Sequence, residues 1–463
     1  MSTDRPVLVT AGAVRTMVPS RPVAAGLLVA AGRIAEVCTP SRVAVLRGSG
    51  VEELAFPGAC VVPGINDGHA HPAWLGHRWP HTLIGPDGFA PPHDVPRAGD
   101  ARAVEAAVLS AQRHFGSLGV TSYTEGALGP GEDDGLTGVM GSATIAAYRA
   151  LAGAGRLRVR VTVMVNFGLV DGVSDLAAIR RGVAGTGFDE VSVPGSMVVL
   201  RGLKVFADGI PPARTAWRDR PYRAAEGDTG SPVTGAPLVG PSEEGGPEAA
   251  LRLALRAGVD RGVQVAVHAT GERAVQVCLE ELGGTAARLR HYVVHADLAT
   301  PAQVAAMGLV GLGATIQPRI ATFTHGALAA TLGPSDLDRY LAVGAMLRAG
   351  VPLTVSSDAP VLAPDWRADL ADVAGRLGWA DRVDPERTEV LLATCTRDAA
   401  RQDGAESWKG VLAPGFVADL AVLARDPFEI APAALPEVEV VATLVGGVLV
   451  HDGRPGRPGA ASA

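Results

Sequence analysis

Two histidines stand at i and i+2 in "VVPGINDGHAHP", residues 61–72 of a chain that has 11 histidines in all. At the end of an apolar strand, alternate side chains project to the same side. His69 and His71 are thus placed as two imidazoles that could chelate a metal ion. A His-x-His pair alone is common, so the reading depends on what accompanies it. Lys204 ends the apolar run "MVVLRGLKVFADG", His268 ends "GVQVAVHATG", His295 ends "LRHYVVHADL" and Asp358 ends "VPLTVSSDAP". Taken singly, each has a plain structural explanation. A buried histidine is usually hydrogen-bonded, an aspartate before Ala-Pro is a turn or cap residue, and Lys204 could pair with Asp208. On one rim, the same residues make an N/O ligand set suited to zinc, with manganese, iron or cobalt as alternatives.

Lys204 carries a second signal. All but two of the 41 basic residues are arginine, the exceptions being Lys204 and Lys409. A lysine inside an apolar strand asks for chemistry that arginine lacks. A desolvated amine can react as a nucleophile, whereas a guanidinium stays protonated.

The elements that must position these residues follow from periodicity. Eight apolar strands end at "VVPGINDGHAH", "GVTSYTEGA", "RVRVTVMVNFG", "LRGLKVFADG", "GVQVAVHATG", "LRHYVVHADL", "GLGATIQP" and "VPLTVSSDAP". Amphipathic helical stretches such as "ARAVEAAVLSAQRHFGSL" alternate with them. Eight βα units predict a (β/α)8 TIM barrel with its chemistry at the carboxyl ends of the strands. The candidates then fall on strands one, four, five, six and eight. Short strands with Gly/Pro turns occupy both chain ends, which predicts a small β-sandwich built from the two of them. The expected division is residues 1–62 and 403–463 in the sandwich and 63–402 in the barrel. The Gly/Pro/Arg-rich stretch after Asp208 reads as a long loop over the active face, and "RPGRPGAASA" as a frayed tail.

Composition narrows the function. Hydrophobic residues make up 47% and charged residues 19%, and the net charge is −7. No basic stripe suggests nucleic acid or a membrane surface, so a small-molecule substrate is expected, with a homo-oligomer as one possible assembly. The start lacks a secretory signal pattern and no apolar run is long enough to span a bilayer, so a cytoplasmic protein is expected. Cys38, Cys60, Cys278 and Cys395 show no CxxC spacing and suggest neither disulfides nor a cysteine zinc site.

The segments "VVPGINDGHAHP", "LKVFADG", "AVHATGERAV", "VVHADL", "IQPRI" and "SSDAPV", with the ending "GVLAPGFVADLAVLARDPF", resemble the amidohydrolase superfamily, most closely its YtcJ-like branch of metal-dependent hydrolases. Two positions depart from that branch, Glu272 where aspartate is usual and Asn66 before Asp67. The resemblance implies two divalent metal ions, most simply zinc. His69, His71 and Asp358 would hold the first, His268 and His295 the second, and Lys204, carbamylated by carbon dioxide, would bridge them. It further implies hydrolysis of a non-peptide carbon–nitrogen bond by a hydroxide shared between the metals, with Asp358 as the catalytic proton shuttle. Trp74, His77, Trp79, Arg214, Trp217, Arg319, His325 and Trp366, in the loops after the strands, are candidate substrate contacts. The alternatives are a mononuclear deaminase of the same superfamily, a lactone or ester hydrolase, and a non-catalytic binding barrel.

Overall fold

A computed structural model describes residues 5–85, 88–89, 96–189, 192–224, 230–240 and 245–454. Eight strands run parallel in chain order: Ile65–Ala70, Val120–Leu128, Arg160–Asn166, Val198–Phe206, Gln264–Ala269, Tyr292–His295, Gly313–Ile316 and Leu353–Val355. They are barrel strands one to eight. All but a few of their residues are buried, because each strand is covered on both faces, by the barrel interior and by an outer ring of helices. Helix Ala101–Ser117 is typical of that ring: the Asp100 side chain accepts a hydrogen bond from the Ala103 amide, and Val104, Ala107, Val108, Ala111 and Phe115 face the barrel.

Hydrogen bonds beyond the ladders close the barrel between strands eight and one. The Asp358 amide donates to the His69 carbonyl at 3.0 Å and the His71 amide to the Ala359 carbonyl at 2.7 Å. Ser357 donates to the Asp67 carboxylate from its amide at 3.1 Å and from its hydroxyl at 2.6 Å.

The two chain ends join in one small β-domain, as expected. Hydrogen bonding links its strands in a seven-stranded mixed sheet, ordered Val448–Asp452, Val440–Val445, Leu420–Leu423, Glu52–Pro63, Val7–Arg15, Val23–Ala30 and Arg33–Cys38. The two ends meet where Leu420–Leu423 pairs antiparallel with Cys60–Pro63. Val9, Leu27, Ile34, Val61, Leu420 and Val422 give this sheet a core separate from that of the barrel. The sequence from 455 onward, expected to fray, lies outside the described residues. Among those described, no helix is long and apolar enough to cross a membrane.

Asp403 and Lys409, which the expected division places in the sandwich segment, bond to residues of barrel strands one and two. Asp403 accepts from Asn66 Nδ2 at 2.8 Å, Thr124 Oγ1 at 3.1 Å and Lys409 Nζ at 2.5 Å, and Lys409 also donates to Ser122 Oγ at 3.2 Å. All five residues are buried. A compact ammonium with three donors suits this position, which accounts for the second lysine in an arginine-rich chain. Removing one partner leaves the other charge buried and unpaired. Asp403→Ala should therefore lower the unfolding free energy by about 3–5 kcal/mol in chemical denaturation, and the double variant Asp403→Leu/Lys409→Met should recover most of that loss.

Candidate metal centre

Barrel strands one, four, five and six and the loop after strand eight deliver the five histidine and carboxylate candidates and Lys204 to one end of the barrel. His69 Nε2 and His71 Nε2 lie 3.4 and 3.3 Å from Asp358 Oδ1. His295 Nε2 lies 3.1 Å from His268 Nδ1 and 4.0 Å from Asp358 Oδ2. The first three residues offer ligand atoms within 4.8 Å of one another, so the two histidine pairs meet at a single carboxylate. His268 Nε2 faces the Gly209 carbonyl at 3.2 Å, an acceptor that fixes the N–H there and leaves Nδ1 turned to His295.

Several atoms of this group find no partner in the protein. Lys204 Nζ, Asp358 Oδ1, and the Nδ1 atoms of His69 and His71 are buried without hydrogen bonds. Such orphans are rare because burial of an unpaired polar group costs free energy. The pairing of Lys204 with Asp208 is not formed: the Asp208 carboxylate accepts instead from the amides of Trp217, Thr270 and Gly271 at 2.8, 3.0 and 2.8 Å. Lys204 is 1% exposed, and its Nζ lies over the Phe206 ring, 4.8 Å from the ring centre.

Burial pushes the Lys204 amine down to about 8 against the opposing pull of Asp358 and Asp171. Burial, reinforced by the Lys204 charge, takes His268 down to about 3. His69 and His295 also fall well below the ordinary imidazole value, burial again leading. Neutral imidazoles and an uncharged amine are the forms that a metal, or carbon dioxide, requires. Two members of the set, His295 at φ +76° and Asp358 at φ +53°, occupy the left-handed region that non-glycine residues seldom enter. Such strain concentrates at functional sites.

Three buried carboxylates support the group in roles that were not expected from the sequence. Asp67 ties strand one to strand eight through Ser357 and also accepts from the His69 amide at 3.3 Å. Glu125, fully buried on strand two, accepts from the Ala73 amide at 3.1 Å and the Tyr148 hydroxyl at 2.7 Å, anchoring the helical turn after His71. Asp208 holds the start of the long loop against the end of strand five. Glu125 carried one signal in the sequence, being the single charge in "GVTSYTEGA".

A cavity of about 330 Å³ opens onto the group, walled largely by apolar side chains, Trp74, Phe206, Ile210, Ile320 and Val361 among them. Of the candidate substrate contacts, Trp74 alone is among the lining residues. His77 bonds to the Pro96 carbonyl, Trp79 stacks on His114, Trp217 on Arg273, and Arg319 donates to the Ala363 carbonyl. Trp366 is a core residue whose indole donates to the Leu118 carbonyl, and His325 lines a neighbouring cavity. Arg214 follows a turn whose Pro211 and Pro212 line the cavity, but its own side chain does not. Sequence placed these residues in the right loops, but their directions depend on loop packing.

A family model described as the amidohydrolase family matches residues 87–451. The chain belongs to the amidohydrolase family. This amidohydrolase is of the YtcJ-like branch, being similar to the putative amidohydrolase YtcJ of Bacillus subtilis (strain 168), with 23% identity over 318 residues. That match covers 67% of this chain and 56% of the relative, so the chain spans little more than half the relative's length. Its fold is similar to that of an uncharacterized metal-dependent hydrolase from Pyrococcus horikoshii OT3, at TM-score 0.70 and 17% identity, over 92% of this chain and 99% of that one. It is also similar to an adenosine deaminase from Xanthomonas campestris with bound zinc, at TM-score 0.59 and 15% identity, over 96% and 93% of the two chains. The donor set that the barrel of this amidohydrolase assembles is of the kind that can hold a divalent metal ion.

Gly126 on strand two makes room for that set. A β-carbon there would stand 2.2 Å from His69 Cε1 and 2.5 Å from Nδ1. Gly126→Ala should displace the His69 ring and lower the metal retained after dialysis several-fold, measured by elemental mass spectrometry, while far-UV circular dichroism stays that of the wild type.

Proposed function

We propose that the protein is a binuclear metal-dependent hydrolase that cleaves a non-peptide, amide-like carbon–nitrogen bond. The observation that carries this reading is Asp358, whose Oδ1 faces His69 and His71 while Oδ2 faces His295. One carboxylate at the junction of two histidine pairs suits two cations better than one. His69, His71 and Asp358 would hold the first metal, His268 and His295 the second, and Lys204, carboxylated on Nζ by carbon dioxide with loss of a proton, would bridge them. Zinc is the metal the donors suit best. When bound, the cations supply Lewis acidity and bring the pKa of water towards neutrality.

The protein's own groups do the rest. The apolar cavity wall excludes bulk water and strengthens the electrostatics within. Asp358 Oδ2, turned towards the centre of the group, takes the proton of the attacking water and returns it to the leaving nitrogen, so that a neutral amine departs. His268, locked in one tautomer by the Gly209 carbonyl, remains a donor of its Nδ1 lone pair. A deaminase with one metal would leave Lys204 a buried amine with no partner and no task.

Two substitutions test the assignment. Lys204→Arg keeps a positive charge but cannot be carboxylated, so metal content should fall from two per chain to one or none, and added acetate should restore part of it in Lys204→Ala. Two metals in Lys204→Arg would rule out the carbamate bridge. Asp358→Asn should retain much of the metal and lose about a hundredfold to ten-thousandfold in kcat on whichever amide is turned over. Near-normal turnover would place the proton transfer elsewhere.

A further inference from the structure

The cavity wall shows a charge pattern that the metal ligands do not explain. Outside the ligand set, the charged side chains lining it are Asp171, after barrel strand three, and Asp297, after strand six. Both are acidic, and no arginine or lysine lines the cavity among the described residues. The internal segments beyond those residues, 86–87, 90–95, 190–191, 225–229 and 241–244, contain neither lysine nor arginine in their sequence. In a chain with 41 basic residues, no basic side chain among the described residues lines the wall of this space to meet a substrate carboxylate.

The two aspartates differ in how they are held. Asp297 Oδ2 accepts from the Tyr340 hydroxyl at 2.7 Å, which occupies one oxygen and fixes the side chain. Asp171 has neither a hydrogen bond nor an ion pair to its side chain among the described residues. Its side chain is exposed and lines the cavity, and burial by the surrounding protein raises its carboxyl pKa. It is felt electrostatically by Lys204, so it lies near the reacting end of the cavity. Its backbone adopts φ +52°, a conformation in which aspartate is tolerated better than most residues.

Resting on the hydrolase reading above, we propose that the substrate is an amide with an apolar body and an ammonium group, and that Asp171 binds the ammonium. The apolar wall takes the body, and the unpaired carboxylate takes the charge through a charge-assisted hydrogen bond. The same carboxylate, with Asp297 across the barrel mouth, repels acyl substrates that carry a carboxylate.

A matched series separates this proposal from the hydrolase reading. N-Benzylacetamides with a para aminomethyl, methyl or carboxylate group would be titrated by calorimetry against the zinc-loaded protein, and acetate release measured in parallel. The aminomethyl compound should bind about tenfold or more tightly than the methyl compound, and the carboxylate weakest. In Asp171→Asn and Asp171→Ser the aminomethyl and methyl compounds should bind within about twofold of each other. Equal binding of the first two by wild type, or a cation preference that survives both variants, would overturn the proposal. If no compound releases acetate, the hydrolase reading suffers for this bond, but the binding order still decides the role of Asp171.

Discussion

Closing the barrel and assembling the site depend on the same few hydrogen bonds. Strand eight meets strand one through Asp67, Ser357, and the paired backbone of His69 and Asp358, so the seam that completes the cylinder also sets His69 and His71 against Asp358. A parallel barrel has no free edge to pair elsewhere once this seam forms. The other candidate ligands arrive on strands whose positions are fixed by that closure. His268 and His295 sit on neighbouring strands, and their rings lie 4.5 Å apart between centroids.

The arrangement is costly for the protein alone. Lys204, Asp358 and two imidazoles bury polar atoms without partners, while His295 and Asp358 hold unfavourable backbone conformations. Each such feature costs on the order of 1–3 kcal/mol. A cation held by His69, His71 and Asp358 would give the Asp358 Oδ1 atom the partner it lacks and so offset part of these costs. The supporting carboxylates are better partnered: Asp67 and Asp208 accept on both oxygens and Glu125 accepts two donors on Oε2, its Oε1 remaining unpaired, although burial still raises their pKa to about 6, 7 and 7 in the order Asp67, Asp208, Glu125.

Arginine serves the frame and not the cavity. Arg160 forms a two-pronged pair with Asp419 at 2.7 and 3.0 Å, joining strand three to the chain-end sheet. Arg218, within the long loop, is fully buried between Asp336 at 2.6 Å and Glu272 at 3.4 Å. The planar guanidinium can satisfy two carboxylates at once, and this cluster gives Glu272, a departure from the usual aspartate, a partner. It holds the loop beside the cavity, whose wall among the described residues carries no basic side chain.

The sequence by itself was enough for the eight strands, the joining of the chain ends and the six residues that converge. Those depend on local periodicity and on charged residues placed where apolar strands end, both of which are written in adjacent positions. Lys204 stood out because arginine fills nearly every other basic position. What only the tertiary structure decided were the directions of side chains in loops and the partners brought from far along the chain. Arg319 and Trp366 follow the right strands but turn to carbonyls of the frame, and His77 does the same. Asp403 and Lys409, assigned by texture to the outer sheet, bond to residues of strands one and two because their partners, Asn66, Ser122 and Thr124, are hundreds of residues away. Asp171 shows the same limit: its solitary carboxylate is ordinary in sequence, and becomes informative only when packing turns its open side to the cavity. Strand periodicity is a property of neighbours, whereas the direction of a loop side chain is set by contacts that exist only after the barrel has closed.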